Sequence, residues 1–226
     1  MIKMPLCEKD KAIRKTLINW YRTQKISLPW RQTSDPYRIL VAEVMLQRTT
    51  RQQVAKVYDA FLRRFPSTKE LAQGPVQEIE EIVAPLGLRR RGTLLKRLSE
   101  AVEEEYNGRI PESESELMNL PGIGEYIASA IRCFAYQKRV PVIDVNVIRV
   151  LRRIYMTRPN SNPQLDSKVK ELTKRLLPKR DWVAFNFAIL DFGGSVCRAR
   201  WTKCEGCPLR NLCCWNNSRH KKNLGI

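Results

Sequence analysis

Apolar residues recur at helical spacing along almost the whole chain, and this pattern constrains the fold more than any other feature. In residues 11–22 the apolar positions Ile13, Leu17 and Trp20 share one face of a helix. Residues 38–46 (RILVAEVML) are apolar enough for a buried helix or a strand, and their Ala, Glu, Met and Leu content favours a helix. Because neither a clear strand pair nor an internal repeat is present, the sequence predicts an all-α fold.

The other helices are predicted from the same spacing, from prolines and glycines at the joints, and from residues that begin helices. Capping boxes satisfy two backbone amides at a helix start. Three residue pairs have the spacing of such boxes: Thr50 with Gln53, Ser67 with Glu70, and Ser113 with Glu116. Further helices are predicted over residues 76–84, 92–106, 114–119, 125–135, 145–156, 166–177 and 181–191.

The chain is strongly basic, with 41 Lys and Arg residues against 23 Asp and Glu and a net charge of +18. A charge of this size favours a polyanionic partner such as nucleic acid, although a generally basic surface would give the same total. The sequence has no apolar run long enough to span a membrane, and its start (MIKMPLCEKDKAIRK) lacks the apolar stretch of a secretory signal. We therefore expect a soluble cytoplasmic protein of the prokaryotic nucleoid, without a membrane partner.

The segment LPGIG, which contains Gly122 and Gly124, has the composition of a tight turn between two helices. Its glycines permit backbone conformations that other residues resist, and the turn exposes amides at the start of helix 125–135. Free N–H groups at a helix N-terminus suit a phosphate oxygen, so the segment predicts a contact with a nucleic-acid backbone. A plain helix–helix turn is the alternative, because two glycines alone are weak evidence.

An acidic residue, Asp144, ends the apolar run VPVI at the predicted start of the next helix. The helix dipole favours a negative charge at this position. Cleavage of an N-glycosidic bond needs such a fixed carboxylate, because the sugar approaches an oxocarbenium ion and the negative charge lowers that barrier. The carboxylate can also orient the attacking water. An N-cap without a catalytic role is the alternative.

Five of the seven cysteines lie within residues 197–214. Thiolates in such a cluster bind iron or zinc, and a zinc ribbon usually has two C-x2-C pairs where this chain has one. The only histidine is His220, which argues against histidine-based catalysis. Cys214 lies outside the pattern as a spare thiol. The four cysteines with the spacing C-x6-C-x2-C-x5-C are Cys197, Cys204, Cys207 and Cys213.

Several motifs occur together in one order along the chain. LPGIG is followed by a tyrosine two residues later, by an aspartate 18 residues after that tyrosine, and by an asparagine two residues further on. The motifs Pro-Trp-Arg, Asp-Pro-Tyr and Glu-Val-Met-Leu-Gln precede them, and the four cysteines follow. From about Leu28 to Cys213 the chain therefore resembles the helix-hairpin-helix DNA glycosylases of the endonuclease III superfamily. Independent motifs in the right order make this resemblance far more specific than any one of them.

The resemblance implies two helical lobes with the DNA cleft between them. One lobe would be a six-helix barrel with the helix-hairpin-helix, over residues 31–140. The other would be an iron–sulfur lobe formed by residues 1–30 and 141–226. The spacing of the four cysteines matches the cluster loop of this superfamily residue for residue, which implies one 4Fe–4S cluster. The cluster would mainly hold a basic loop in shape.

Within this family, the residue two positions after the second hairpin glycine decides the mechanism. Lyase-type members have a lysine there, which forms a Schiff base and nicks the strand. This chain has Tyr126, and a phenol cannot form that imine. The resemblance therefore implies a monofunctional DNA glycosylase of base excision repair, in which Tyr126 and Asn146 position the sugar and the Asp144 carboxylate. A bifunctional lyase and a non-enzymatic DNA-binding module with a structural metal are the alternatives.

The resemblance also implies residues that displace and receive the base. Glu43 would face the flipped base, with a surface salt bridge as the alternative role. Gln47 would fill the hole that the base leaves, with Arg48 beside it at the DNA. Leu88 would wedge from the opposite side, with a core position as the alternative. The implied partner is double-stranded DNA with a mismatched or damaged base, bound by a monomer.

Two branches of the family share these motifs. One removes thymine or uracil opposite guanine, and the other removes adenine from A·G pairs or opposite oxidised guanine. Arg48-Thr49-Thr50 resembles the thymine branch, because the adenine branch usually has a second glutamine and one threonine there. Adenine enzymes also typically add a C-terminal domain, and this chain ends shortly after Cys213. We expect thymine or uracil as the target, with a MutY-type adenine glycosylase lacking that domain as the alternative.

Overall fold

The computed structural model describes residues 5–87, 90–156, 167–200 and 203–217, and these residues are helical with no strand among them. The all-α prediction is confirmed. In this part of the chain, no helix is both long and apolar enough to cross a bilayer. The helices are α1 (Leu6–Thr23), α2 (Pro36–Leu46), α3 (Arg51–Arg64), α4 (Thr68–Gln73), α5 (Val76–Val83), α6 (Arg90–Tyr106), α7 (Glu114–Asn119), α8 (Glu125–Phe134), α9 (Val145–Tyr155), α10 (Ser167–Leu176) and α11 (Trp182–Ser195).

The chain divides into two compact units, one of residues 26–138 and one of residues 1–25 with 139–226. The first unit contains α2 to α8, and the second contains α1 and α9 to α11. The divisions lie after Lys25 and Lys138, whereas the resemblance placed them after residues 30 and 140. The assignment of the second unit as an iron–sulfur lobe stays a prediction.

Helix α2 is the most buried element of the unit 26–138. Every residue from Ile39 to Met45 is buried, and α2 packs against α3, α6 and α8. Asp35 begins the helix because its side chain accepts a hydrogen bond from Arg38 N at 2.9 Å, and Pro36 suits the first helical position. The preference for a helix over a strand at residues 38–46 is therefore confirmed.

Two of the three predicted helix-start signals operate as caps. Thr50 and Gln53 form a complete capping box, and the Ser67 side chain accepts a hydrogen bond from Lys69 N at 3.2 Å. Helix α7 also begins where Ser113 predicts it, with Ser113 as its N-cap, but the Ser113 side chain caps no amide of the helix. The Ser113 hydroxyl instead lies 2.8 Å from the hydroxyl of Ser115, so a neighbouring side chain competes with the backbone.

Helices α1, α9, α10 and α11 enclose the core of the second unit. Helix α11 (WVAFNFAILDFGGS) is apolar around almost its whole circumference, which suits a helix that is buried on most sides. Helix α9 is amphipathic and turns one apolar stripe to this core. The core includes Phe185, Ile189 and Phe192 on α11 and Val147, Val150, Leu151 and Ile154 on α9.

A buried carboxylate joins three helices of this unit. The Asp10 side chain on α1 is 3% exposed and accepts hydrogen bonds from Tyr155 Oη at 2.5 Å and from Arg175 Nε at 2.7 Å. Tyr155 ends α9, and Arg175 lies in the last turn of α10. Burial, followed by the hydrogen bond to Asp10, raises the pKa of the Tyr155 phenol, which therefore stays a hydrogen-bond donor at neutral pH.

We expect Asp10→Asn to destabilise the fold by about 2 kcal/mol, because the buried hydrogen bonds to a charged carboxylate are weakened. Chemical denaturation measures this change. Asp181→Asn is the matched control, since Asp181 forms an exposed pair with Arg22 at 3.4 Å and asparagine tolerates its left-handed φ of 59°. Equal losses of unfolding free energy in the two variants would contradict this account of Asp10.

Candidate functional site

The segment Leu120–Gly124 forms a tight turn between α7 and α8. Gly122 has a φ of 76°, so any other residue there would be strained, and its Cβ would lie 2.7 Å from Leu94 Cδ1 and displace that side chain. Ile123 is buried and anchors the turn. Gly124 is the N-cap of α8, and no side chain caps this end of the helix. The first amides of a ten-residue helix are thus presented at an exposed glycine.

The loop after α2 lies beside this turn. Gln47 follows the last residue of α2, and its Nε2 donates a hydrogen bond to Gly122 O at 3.4 Å. Arg48 is exposed and adopts a left-handed φ of 55°. The structure therefore brings together Gln47, Arg48 and the glycine turn, which the sequence analysis assigned separately to DNA binding.

Two further predicted site residues lie on helices of the same unit. Glu43 is on α2 and is only 5% exposed, so the alternative of a surface salt bridge is wrong. Tyr126 is the second residue of α8 and is half-buried. Helices α2 and α8 pack against each other. Burying the Glu43 carboxylate costs free energy, which indicates a role other than that of a solvated surface residue.

Leu88 lies outside the described residues. The helical turn before it, Ala84–Leu86, ends at Gly87 with a left-handed φ of 81°, and α6 begins at Arg90. The roles predicted for Leu88, a wedge or a core residue, both stay predictions.

In the second unit, Asp144 is the N-cap of α9. Its Oδ1 accepts a hydrogen bond from Val147 N at 2.7 Å, and its Oδ2 accepts one from Asn146 Nδ2 at 2.6 Å. Hydrogen bonds to an ionised acceptor are short and strong, so both oxygens are held in fixed positions. Asp144 is therefore an N-cap, and the capping bond also orients its carboxylate, while its catalytic role stays a prediction.

Asn146 is oriented in turn by an arginine that the sequence analysis missed. Arg149 donates from one nitrogen to Asn146 Oδ1 at 2.8 Å and to Gly193 O at 2.7 Å, and from Nε to Cys197 O at 3.0 Å. Burial lowers the pKa of the Arg149 guanidinium from its usual value. The spacing of three residues between Asn146 and Arg149 on one helix is a signal that could have found this pair.

A second missed residue fixes the segment that leads into Asp144. Asn186 on α11 is fully buried, its Oδ1 accepts a hydrogen bond from Val142 N at 3.0 Å, and its Nδ2 donates to Val140 O at 3.1 Å. These bonds satisfy backbone groups of a segment that belongs to no helix. An asparagine within the apolar run of α11 is the only signal that the sequence offers for this role.

The four cysteines of the C-x6-C-x2-C-x5-C pattern line one depression in the second unit. Burial raises the pKa of the Cys207 thiol to about 11 and also raises that of Cys213. The Cys197 sulfur accepts a hydrogen bond from Arg153 at 3.3 Å. Cys214 is not part of the lining, and its sulfur accepts a hydrogen bond from Lys9 Nζ at 3.3 Å.

The chemistry of this depression fits a thiolate-bound iron–sulfur cluster. Among the described residues, no three Cys, His, Asp or Glu side chains are placed to share a single ion. Arg153, Lys203 and Arg210 line the same depression, and their positive charges suit an anionic thiolate-bound group.

Comparisons with known proteins agree with these observations. A family model described as HhH-GPD superfamily base excision DNA repair protein matches residues 41–179, more than half of the chain. A thymine/uracil-DNA glycosylase of Pyrobaculum aerophilum is 41% identical over 206 residues, which cover 89% of this chain and 90% of that protein. An adenine DNA glycosylase of Mycobacterium tuberculosis is 33% identical over 92% of this chain and 69% of that protein. The structure of a thermostable thymine-DNA glycosylase matches with a TM-score of 0.88 at 32% identity, over 93% of this chain and 98% of that one. This chain therefore belongs to the HhH-GPD superfamily of base excision DNA repair proteins.

Proposed function

We propose that this DNA glycosylase hydrolyses the N-glycosidic bond of thymine or uracil opposite guanine in double-stranded DNA, and that it acts as a monomer. The observation that carries the proposal is the Asp144 carboxylate, which is held by Val147 N and Asn146 Nδ2 at the start of α9. The choice of base is supported by the similarity to thymine/uracil-DNA and thymine-DNA glycosylases.

The carboxylate stabilises the positive charge that develops on the sugar as the base departs. Because the hydrogen bonds to both oxygens are formed before substrate binds, little reorganisation is needed when that charge develops. Asn146 keeps Oδ2 in place, and Arg149 keeps Asn146 in place. The same carboxylate orients the water that attacks the sugar, which makes Asp144 the catalytic residue and Asn146 and Arg149 its positioning residues.

Tyr126 supports hydrolysis without strand cleavage. A lyase needs an amine that forms an imine with the sugar, and a phenol at this position cannot supply one. Tyr126 instead contacts the sugar through its ring or hydroxyl. The backbone of the product strand therefore stays intact at an abasic site.

The unit 26–138 supplies the contacts that displace and receive the base. The turn at Gly122 and Gly124 offers amides to a phosphate oxygen, which fixes position without reading sequence. Gln47 fills the hole left by the flipped base, and Leu88 enters from the other side. Arg48 contacts the DNA beside Gln47, and the buried Glu43 carboxylate faces the base.

Removal of adenine, from A·G pairs or opposite oxidised guanine, is the second candidate function. It is favoured by the similarity to an adenine DNA glycosylase, whose identity to this chain is 33%. The identity of the matched thymine-DNA glycosylase structure is 32%. The sequence Arg48-Thr49-Thr50 supports the thymine and uracil assignment instead. The two candidates share the Asp144 chemistry and differ only in the base that is bound.

We propose that the four cysteines lining the depression hold one 4Fe–4S cluster. The cluster supplies no chemistry to the glycosidic step and joins the loop of residues 203–213 to the end of α11. Arg153 holds the segment that precedes this loop, because it donates to the Cys197 sulfur at 3.3 Å and to Arg198 O at 2.7 Å. The basic side chains of this loop then remain in a fixed arrangement for contacts with DNA phosphate.

We expect Asp144→Asn to slow base release by at least about 100-fold while DNA binding survives. Asparagine is a good N-cap, so the start of α9 is kept while the negative charge is lost.

Base release from single-mismatch duplexes (T·G, U·G, A·G, and adenine opposite oxidised guanine) tests the substrate in the same experiment. Release of adenine alone would contradict the thymine and uracil assignment. Nicking without heat or alkali, with borohydride trapping on DNA, would contradict hydrolysis.

We expect Gly193→Ala to slow base release by about tenfold or more, because small displacements of catalytic groups have effects of this size. A Cβ at Gly193 would lie 2.7 Å from Asn146 Cβ and would push Asn146 away from Asp144. Gly194→Ala is the matched control on the same helix, because a Cβ there meets nothing within 4 Å. Single-turnover base release and Tm are measured for both variants, and an unchanged rate in Gly193→Ala would contradict the role of Asn146.

We expect the purified protein to contain iron and sulfide in equal amounts, with visible absorbance from thiolate-bound iron. Cys213→Ser lowers the iron content and the Tm, because it removes one of four thiolates. Cys214→Ser is the matched control and leaves both unchanged, since Cys214 lies outside the depression. Stoichiometric zinc in place of iron would refute the cluster.

A further inference from the structure

Arg91, in the first turn of α6, is a buried arginine that the function proposed above does not use. The residue is only 4% exposed. Its guanidinium donates to Met45 O at 2.8 Å and to Thr49 Oγ1 at 2.7 Å, and it also donates to Gln47 O. All three acceptors lie at the end of α2 or in the loop that follows it. One side chain thus binds the whole loop that carries Gln47 and Arg48.

The contacts of Arg91 are not those of an ordinary ion pair. In the described part of the chain no carboxylate pairs with it, and every hydrogen-bond acceptor that it reaches is a neutral oxygen. Burial lowers its pKa, which reflects the cost of keeping a cation away from water. The negative end of the α2 dipole offsets part of this cost. A lysine would supply the charge but could not reach three separate acceptors as a planar guanidinium does.

The loop that Arg91 binds has an unusual backbone, which needs such support. Arg48 has a left-handed φ of 55°, and α2 ends at Leu46. The Thr49 hydroxyl, which accepts from Arg91, donates in turn to Gln47 O at 3.2 Å. The Gln47 carbonyl oxygen therefore accepts two hydrogen bonds, one from Arg91 and one from Thr49. The Gln47 side chain, by contrast, makes one long hydrogen bond of 3.4 Å to Gly122 O and can leave it when DNA binds.

We propose that Arg91 is a positioning residue that holds the Gln47 loop in the conformation needed to enter the DNA helix. The proposal rests on the function proposed above, because it assumes that Gln47 fills the hole left by the flipped base. A loop that is already ordered loses less conformational freedom on binding than a flexible one. Arg91 lies in the first turn of α6, shortly after Leu88. It therefore also ties the Gln47 loop to the start of α6.

The test separates base displacement from bond cleavage. In an Asp144→Asn background, which retains the target base, a T·G duplex carries 2-aminopurine next to the thymine. The rise in its fluorescence at saturating protein reports unstacking. Arg91→Met is compared with Arg97→Met, which removes the same charge from an exposed position of the same helix. With Asp144 intact, single-turnover release of thymine is measured for the same pair.

We expect Arg91→Met to lower the fluorescence rise and to slow thymine release by about tenfold or more, as misplaced groups do. Arg97→Met changes neither. Arg91→Lys restores part of the loss, because one of the three hydrogen bonds can form. If Arg91→Met does not fold, Thr49→Val carries the test, since it removes only the Thr49 hydroxyl. A smaller loss in the same direction is then expected at unchanged Tm.

Two results would overturn the proposal. One is a fluorescence rise and a release rate in Arg91→Met, or in Thr49→Val, equal to those of Arg97→Met. The other is a loss of Tm with no change in the fluorescence rise, which would make Arg91 a purely structural residue. Failure of the proposed function gives a different result, because the unaltered protein would then release neither thymine nor uracil from any duplex.

Discussion

Two hydrogen bonds hold the Asp144 carboxylate, and the arrangement of the candidate site in the second unit depends on them. A carboxylate that caps a helix cannot rotate freely, so the position of α9 determines the position of the charge. The apolar face of α9 fixes that position through Val147 and Leu151 in the core. The packing of α9 that stabilises the fold therefore also places the negative charge, because any shift of α9 moves the carboxylate with it.

Helix α11 contacts the residues that precede Asp144 and those that follow it in the chain. Asn186 binds the segment before it, and Gly193 permits the close approach of Asn146 after it. These two residues are seven positions apart, which places them on the same face of the helix after two turns. One face of a buried helix thus sets the entry to α9 and the orientation of its first turn. This explains why a helix so rich in aromatic and aliphatic residues contains an asparagine and a glycine at these positions.

The helices could be predicted from the sequence because their signals are local. Apolar spacing and caps such as Thr50 lie within one or two turns of the elements they define. At Ser113 the helix start is as predicted, but the capping bond is absent because a hydroxyl two residues away competes for the side chain, and spacing alone does not rank such partners. Among the site residues, Asp144 and Asn146 were found through a local motif. Arg91 and Asn186 bind groups at least 42 positions away in the chain, and no local pattern encodes those contacts. Arg149 binds Asn146 three positions away, but its contacts with Gly193 and Cys197 are as distant as those of Asn186.

Each unit contains an arginine that binds neutral oxygens of a loop or helix end, and Arg91 is buried whereas Arg149 is half-buried. Arg91 reaches Met45 O, Gln47 O and Thr49 Oγ1, and Arg149 reaches Asn146 Oδ1, Gly193 O and Cys197 O. Burial lowers the pKa of both guanidinium groups, so in each case rigidity is gained against a desolvation cost. An amide side chain would avoid that cost but has fewer donors and no charge. Because no carboxylate forms an ion pair with either guanidinium in the described residues, both also add to the positive potential that attracts a polyanion. The same side chain thus orders a functional loop and contributes to the field that brings the nucleic acid to it.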